Sequence, residues 1–88
     1  MKENVFVVKN KLGLHARPAA LFVQTTHRYV SEIRVIKEEQ EVNGKSIMGL
    51  LTLAAENGSE IRIIVTGPDE EDLLKALEDL FQRKFDEE

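Results

Sequence analysis

Apolar positions along this chain alternate in some stretches and recur at helical spacing in others. Val5-Phe6-Val7-Val8 is a β-branched and aromatic run and reads as a strand. From about Ala16 to Tyr29, residues Ala19, Phe22, Val23 and Thr26 share one stripe, which predicts a helix with that face buried. Glu32 to Lys37 alternates polar and apolar and turns Ile33 and Val35 toward a core. A short strand through Val42 follows. Between these two strands the chain can reverse at Lys37-Glu38-Glu39-Gln40, although Asn43-Gly44 has the stronger local turn chemistry.

Ser46 can cap a short helix to about Leu53, with Leu50, Leu53 and Ala54 inward. Asn57-Gly58 is a loop, and Glu60 to Thr66 alternates again with Ile61, Ile63 and Val65 inward. Gly67-Pro68-Asp69 breaks the chain and starts a last helix. Asp69 is its N-cap, and Glu70, Glu71 and Asp72 lie in its first turn. Leu73, Leu74, Leu77, Leu80 and Phe81 form its apolar stripe, opposite Lys75, Glu78 and Gln82. The order is β-α-β-β-α-β-α, an α+β arrangement. Helices must cover the apolar face of the sheet, while the face bearing Val7, Arg34 and Arg62 can be wet.

No linker, repeat or low-complexity block divides the sequence, so residues 1–88 are expected to form one domain. There is no cysteine, and neither a secretory signal nor a membrane-spanning apolar run; these features fit a cytoplasmic protein. The net charge of −4, with Asp86, Glu87 and Glu88 at the end of the chain, argues against nucleic acid as a partner.

The richest chemistry lies in Gly13-Leu14-His15-Ala16-Arg17-Pro18-Ala19-Ala20. Proline fits the first helical turn. With His15 as N-cap, the free amides of Ala16 and Arg17 point back past its ring. A helix N-terminus is a ready anion site. Imidazole, guanidinium and helix end together suggest a histidine that accepts a phosphoryl group. Both the helix end and Arg17 favour the neutral, nucleophilic ring. Arg17 precedes a proline, which disfavours its helical conformation and predicts an irregular first turn. His27, beside Arg28 late in the same helix, reads as a surface residue interacting with the helix C-terminus. The two histidines lie at opposite ends of one helix without matching carboxylates, so no metal site is expected.

Leu14-His15-Ala16-Arg17-Pro18-Ala19 resembles the active-site signature of HPr, the histidine-containing phosphocarriers of the bacterial sugar phosphotransferase system. Asn43-Gly44-Lys45-Ser46-Ile47-Met48-Gly49-Leu50 resembles the regulatory-serine motif of the same family, and the likeness covers essentially the whole chain. It implies an open-faced β-sandwich in which a four-stranded antiparallel sheet is covered on one face by three helices. The last strand is inserted between the first two, the reversal falls at Glu38-Glu39, and Asn43-Gly44 leads into the short helix. It further implies that His15 accepts the phosphoryl group on its pros nitrogen, Nδ1, stabilised by Arg17 and the backbone of Ala16 and Arg17. Enzyme I would be the donor and IIA domains of sugar permeases the acceptors.

Ser46 would be the site of regulatory phosphorylation by HPr kinase/phosphorylase. A LacI-type catabolite control regulator would be a further partner. The carrier would be a monomer, with no cofactor, no membrane partner and no enzymatic activity of its own. Ile47, Met48 and Leu51 should face outward if Leu50 and Leu53 face inward. With Ala16 and Ala20 they would form a docking patch. A purely regulatory protein acting through phospho-Ser46 is the competing reading. The presence of His15 argues against it, because relatives that only regulate lack that histidine.

Overall fold

The computed structural model describes residues 1–87. Glu88, the last of the acids at the end of the chain, lies outside them. The elements are β1 (Lys2–Val7), α1 (Ala16–Thr26), β2 (Glu32–Lys37), β3 (Gln40–Asn43), α2 (Ile47–Leu53), β4 (Glu60–Thr66), α3 (Glu70–Gln82) and a terminal turn over Lys84–Asp86. The strands form one antiparallel sheet in the order β1-β4-β2-β3. The last strand is thus inserted between the first two, as the family resemblance implied.

Register follows from the alternation. Phe6 faces Ile61, Val35 faces Ile63 and Ile33 faces Val65, so one face of the sheet presents a continuous apolar surface. Ile61, Ile63 and Val65 on the central strand β4 are fully buried. Phe22 of α1, Leu50 of α2 and Leu73 and Leu77 of α3 pack into the same core. Phe81 stacks edge-on against Phe85, with ring centroids 4.9 Å apart, and lies 4.7 Å from Phe6. The opposite face carries exposed Val5, Val7, Arg34 and Arg62. Ile64 also lies on that side and is nonetheless buried. Its register neighbours are Glu3 and Arg34, long side chains whose stems can cover it.

The chain reverses between β2 and β3 at Glu38-Glu39, since Lys37 pairs with Gln40. Asn43-Gly44, the better turn dipeptide, leads into α2 instead. At the hairpin Glu38 takes a left-handed φ of 56°.

Two expectations need correction, on the end of α1 and on Ala54. Helix α1 ends at Thr26 rather than Tyr29: the amides of Arg28 and Tyr29 bond to Thr25 and Thr26, tightening the last turn to i−3 spacing. Ala54 does not face inward. It is the exposed left-handed C-cap of α2, with φ 50° and ψ 43°. Asp69 is the N-cap of α3, but its side chain makes no capping bond. Its carboxylate accepts the amides of Val30 and Ser31, each at 3.0 Å, and the Ser31 hydroxyl. These donors hold the Asp69 carboxyl below its ordinary range, the Ser31 hydroxyl contributing most. Leu74 is half-buried, packed at the edge of the core rather than within it.

Candidate phosphoryl site

The loop before α1 is tied down along its length. The Val8 amide bonds to the Ser59 carbonyl and the Gly58 amide to the Val8 carbonyl, so the chain leaves β1 still paired. Asn57 Nδ2 donates to the carbonyls of Lys9 and Asn10. Asn10 is fully buried. Its Nδ2 donates to the Gly13 carbonyl, while the Gly13 amide returns a bond to the Asn10 carbonyl at 3.1 Å. Gly13 is required here twice over. Its φ is +72°, and a Cβ would collide with the Ala55 carbonyl. Leu14 is buried, and its amide bonds to that same carbonyl at 2.8 Å. The next residue, His15, is therefore held at a fixed point on the surface.

His15 is the N-cap of α1, in extended conformation, and its side chain makes no capping bond. The first helical bond runs from the Ala19 amide to the His15 carbonyl at 3.0 Å. Pro18 has no N–H, so the amides of Ala16 and Arg17 are the donors left at the helix end. Pro18 is buried, Ala16 and Arg17 are exposed, and no acid lies in the first turn. Arg17 is helical despite preceding proline. The first turn nonetheless closes with the regular Ala19–His15 bond, and Pro18 at this end removes no N–H that the ladder needs.

One neighbour of His15 escaped the sequence reading. Glu87 brings its carboxylate to the ring, with His15 Nε2 3.1 Å from Oε2 and 3.3 Å from Oε1. The ring, 36% exposed, sits between the positive end of α1 and this carboxylate. In sequence Glu87 looked like one of several solvated terminal acids. The available signal was Phe85, a large apolar residue beyond the helical stripe that needed somewhere to be buried.

Ser46 caps α2, its Oγ accepting the Gly49 amide at 3.0 Å. The turn before it is braced against α1. Lys45 Nζ reaches the Tyr29 carbonyl at 2.7 Å, Thr26 Oγ donates to the Gly44 carbonyl at 2.9 Å, and His27 Nε2 lies 3.1 Å from the Lys45 carbonyl. His27 therefore joins the end of α1 to the Ser46 turn. Ile47 and Met48 are exposed, Met48 to 69%. Leu51 is half-buried and packed against the core, which corrects its placement as fully outward. It lies one helical turn beyond exposed Ile47. Ala20 is half-buried. Among the described residues no group of three or more His, Cys, Asp or Glu side chains could hold a metal ion, and no helix is long and apolar enough to cross a membrane.

Residues 2–83 match the family model described as "PTS HPr component phosphorylation site". The chain is 52% identical over 81 residues to the phosphocarrier protein HPr of Treponema pallidum, covering 92% of each chain. It is also 52% identical over 77 residues to the HPr-like protein Crh of Halalkalibacterium halodurans, covering 88% of this chain and 92% of that one. Among solved structures, HPr of Thermoanaerobacter tengcongensis superposes with a TM-score of 0.96 at 51% identity, over 100% of this chain and 99% of that one.

Proposed function

This chain belongs to the HPr family of phosphotransferase-system phosphocarriers, and within that family we propose that His15 is the residue that carries the phosphoryl group. A phosphocarrier is a carrier rather than a catalyst, so its site needs a nucleophile and a place for the charge that arrives with the phosphoryl group. The observation that carries the reading is the junction of loop and helix at His15. The imidazole is surface-accessible at the end of α1, and the amides of Ala16 and Arg17 have no helical acceptor. Nδ1 attacks phosphorus and the donor leaves with the electron pair of the broken bond. The phosphoryl oxygens are then met by those amides and by the Arg17 guanidinium. Onward transfer reverses the step to a second acceptor. Phospho-enzyme I is the donor in this proposal, and IIA domains of sugar permeases are the acceptors. Ala16, Ala20, Ile47 and Met48 form the docking surface, with Leu51 at its inner edge.

Ser46 is proposed as a regulatory phosphorylation site for HPr kinase/phosphorylase, with a LacI-type regulator reading the modified form. A phosphate at the start of α2 is electrostatically favourable, so it acts on partners rather than by unfolding the helix.

The test is labelling with enzyme I and phosphoenolpyruvate. The protein should take up an acid-labile, alkali-stable phosphoryl group, and His15→Ala should abolish uptake while the fold remains intact by circular dichroism. Label persisting in that variant, on His27 or elsewhere, would refute the assignment.

A further inference from the structure

The terminal turn delivers a side chain that phosphoryl transfer, as described, does not use. The family match ends at residue 83, and the turn lies beyond it. Lys84, Phe85 and Asp86 all take left-handed φ, at 53°, 55° and 60°. Such a φ is unfavourable for a residue that carries a side chain. The turn holds this conformation with Phe85 buried to 1% exposure against Phe81. Its consequence is to fold Glu87 back over the loop before α1.

There the Glu87 carboxylate meets two nitrogens. Asn10 Nδ2 donates to Oε1 at 3.1 Å, and His15 Nε2 stands 3.1 Å from Oε2. The orientation of the Asn10 amide is fixed, because Nδ2 also serves the Gly13 carbonyl while Oδ1 has no partner among the described residues. Flipping it would set an oxygen against two acceptors. An ionised carboxylate only accepts, so the hydrogen between Glu87 and His15 belongs to Nε2.

We propose that Glu87 is a positioning residue for the phosphoryl acceptor: it holds His15 in the Nε2–H tautomer and so presents the Nδ1 lone pair to phosphorus. This rests on the reading of His15 as the acceptor. In the step, the Nδ1 pair forms the N–P bond and the bond from phosphorus to the donor breaks, its electrons leaving with the donor. The ring keeps its Nε2 hydrogen and becomes cationic. Glu87 answers that charge, as the carboxylate of a Ser-His-Asp triad orients an imidazole and stabilises its cation.

Two substitutions separate positioning from mere contact. Glu87→Ala removes the acceptor and should leave a mixture of tautomers. Glu87→Gln should act more strongly. Asn10 Nδ2 demands an acceptor on its side, so the new amide turns its oxygen there and its NH2 toward His15. An NH2 donating to Nε2 moves the ring hydrogen to Nδ1, the attacking atom. The readouts are ring nitrogen-15 shifts of neutral His15 by NMR and single-turnover phosphoryl transfer from phospho-enzyme I. The expected results are an Nε2–H ring in the wild type and an Nδ1–H ring in Glu87→Gln. Transfer should slow roughly 10-fold in Glu87→Ala and roughly 100-fold in Glu87→Gln. Glu56→Ala, which removes an exposed charge beside the same loop and outside the terminal turn, should transfer at the wild-type rate. An unchanged tautomer in both Glu87 variants, or an equal loss in Glu56→Ala, overturns the proposal while labelling at His15 stands. A wild-type protein that takes no label at His15 overturns the acceptor reading itself.

Discussion

The N-termini of α1 and α2 begin from similar extended N-cap backbone and are completed in opposite ways. At α2, Ser46 turns its own oxygen back onto the Gly49 amide. At α1, His15 makes no capping bond, the first turn holds no acid, and Pro18 removes a donor that would otherwise need a partner. One helix end is satisfied by its own cap, and the other keeps two donors for an anion from outside. α3 supplies a third arrangement, with Glu70, Glu71 and Asp72 providing negative charge at its start. A helix start left open and flanked by a nucleophile is thus the informative one. A well-capped start such as Ser46 needs no ligand to explain it.

The largest expected effect comes from disturbing the loop that holds the open end in place. Gly13→Ala forces a side chain into left-handed φ and against the Ala55 carbonyl. It should destabilise the protein by about 2–3 kcal/mol, measured by thermal or urea unfolding. It should also slow phosphoryl transfer to His15 more than it slows kinase action on Ser46, because Ser46 is braced from the far end of α1. Equal losses at the two sites would mean that the loop does not fix His15 independently.

Much of this comparison was legible in the sequence, and what was missed has a common cause. Periodicity located the core: Phe22, Val35, Ile61, Ile63, Leu73 and Leu77 are all buried where the alternation and helical spacing put them. Pro18 in the first turn and Ser46 before an apolar run marked the two helix starts by local rules alone. What local spacing left out depended on tertiary partners or on where a helix stops. Asp69 has the chemistry of an N-cap, yet the amides of Val30 and Ser31, nearly forty residues earlier in sequence, take its carboxylate. Ala54 is apolar and falls near the inward stripe, but the helix stops there and turns left-handed. Glu87 meets His15 only because Phe85 is drawn into the core, a contact that no spacing rule encodes.

Asp69 gives the next effect in size and tests how a helix start behaves when its acid serves another segment. Its carboxyl is held low by the Ser31 hydroxyl first, then by the amides of Val30 and Ser31. A carboxyl whose folded value lies below its unfolded one stabilises the fold above the unfolded value, near pH 4, and that contribution is lost as pH falls through the lower, folded value. Asp69→Asn should therefore be less stable than the wild type at neutral pH, with the gap constant down to about pH 5 and closing below it. Unfolding midpoints from pH 7 to pH 2 supply the measurement. A gap that persists undiminished at the acid end would show that the carboxylate charge contributes nothing and that Asn lacks only the geometry.

Ser46 gives the smallest effect on stability and the sharpest contrast with His15. Its oxygen is the side-chain cap of α2, so Ser46→Ala should cost about 1 kcal/mol. Aspartate also caps well and places negative charge at the positive helix end, so Ser46→Asp should leave stability unchanged or slightly raised. Function should respond in the opposite order. Alanine adds no charge beside exposed Ile47 and Met48 and should leave transfer from enzyme I near the wild-type rate. Aspartate sets an unpaired charge at the edge of a surface that the proposed docking buries, which costs desolvation and repels an acidic partner. The loss should appear as a raised apparent KM for enzyme I with little change in the chemical step. Phosphoserine, with more charge, should raise it further. Steady-state transfer and unfolding on all three forms decide the matter. If stability and transfer fall together in Ser46→Ala and neither changes in Ser46→Asp, then Ser46 acts on transfer only through the integrity of α2, and its regulatory role is removed.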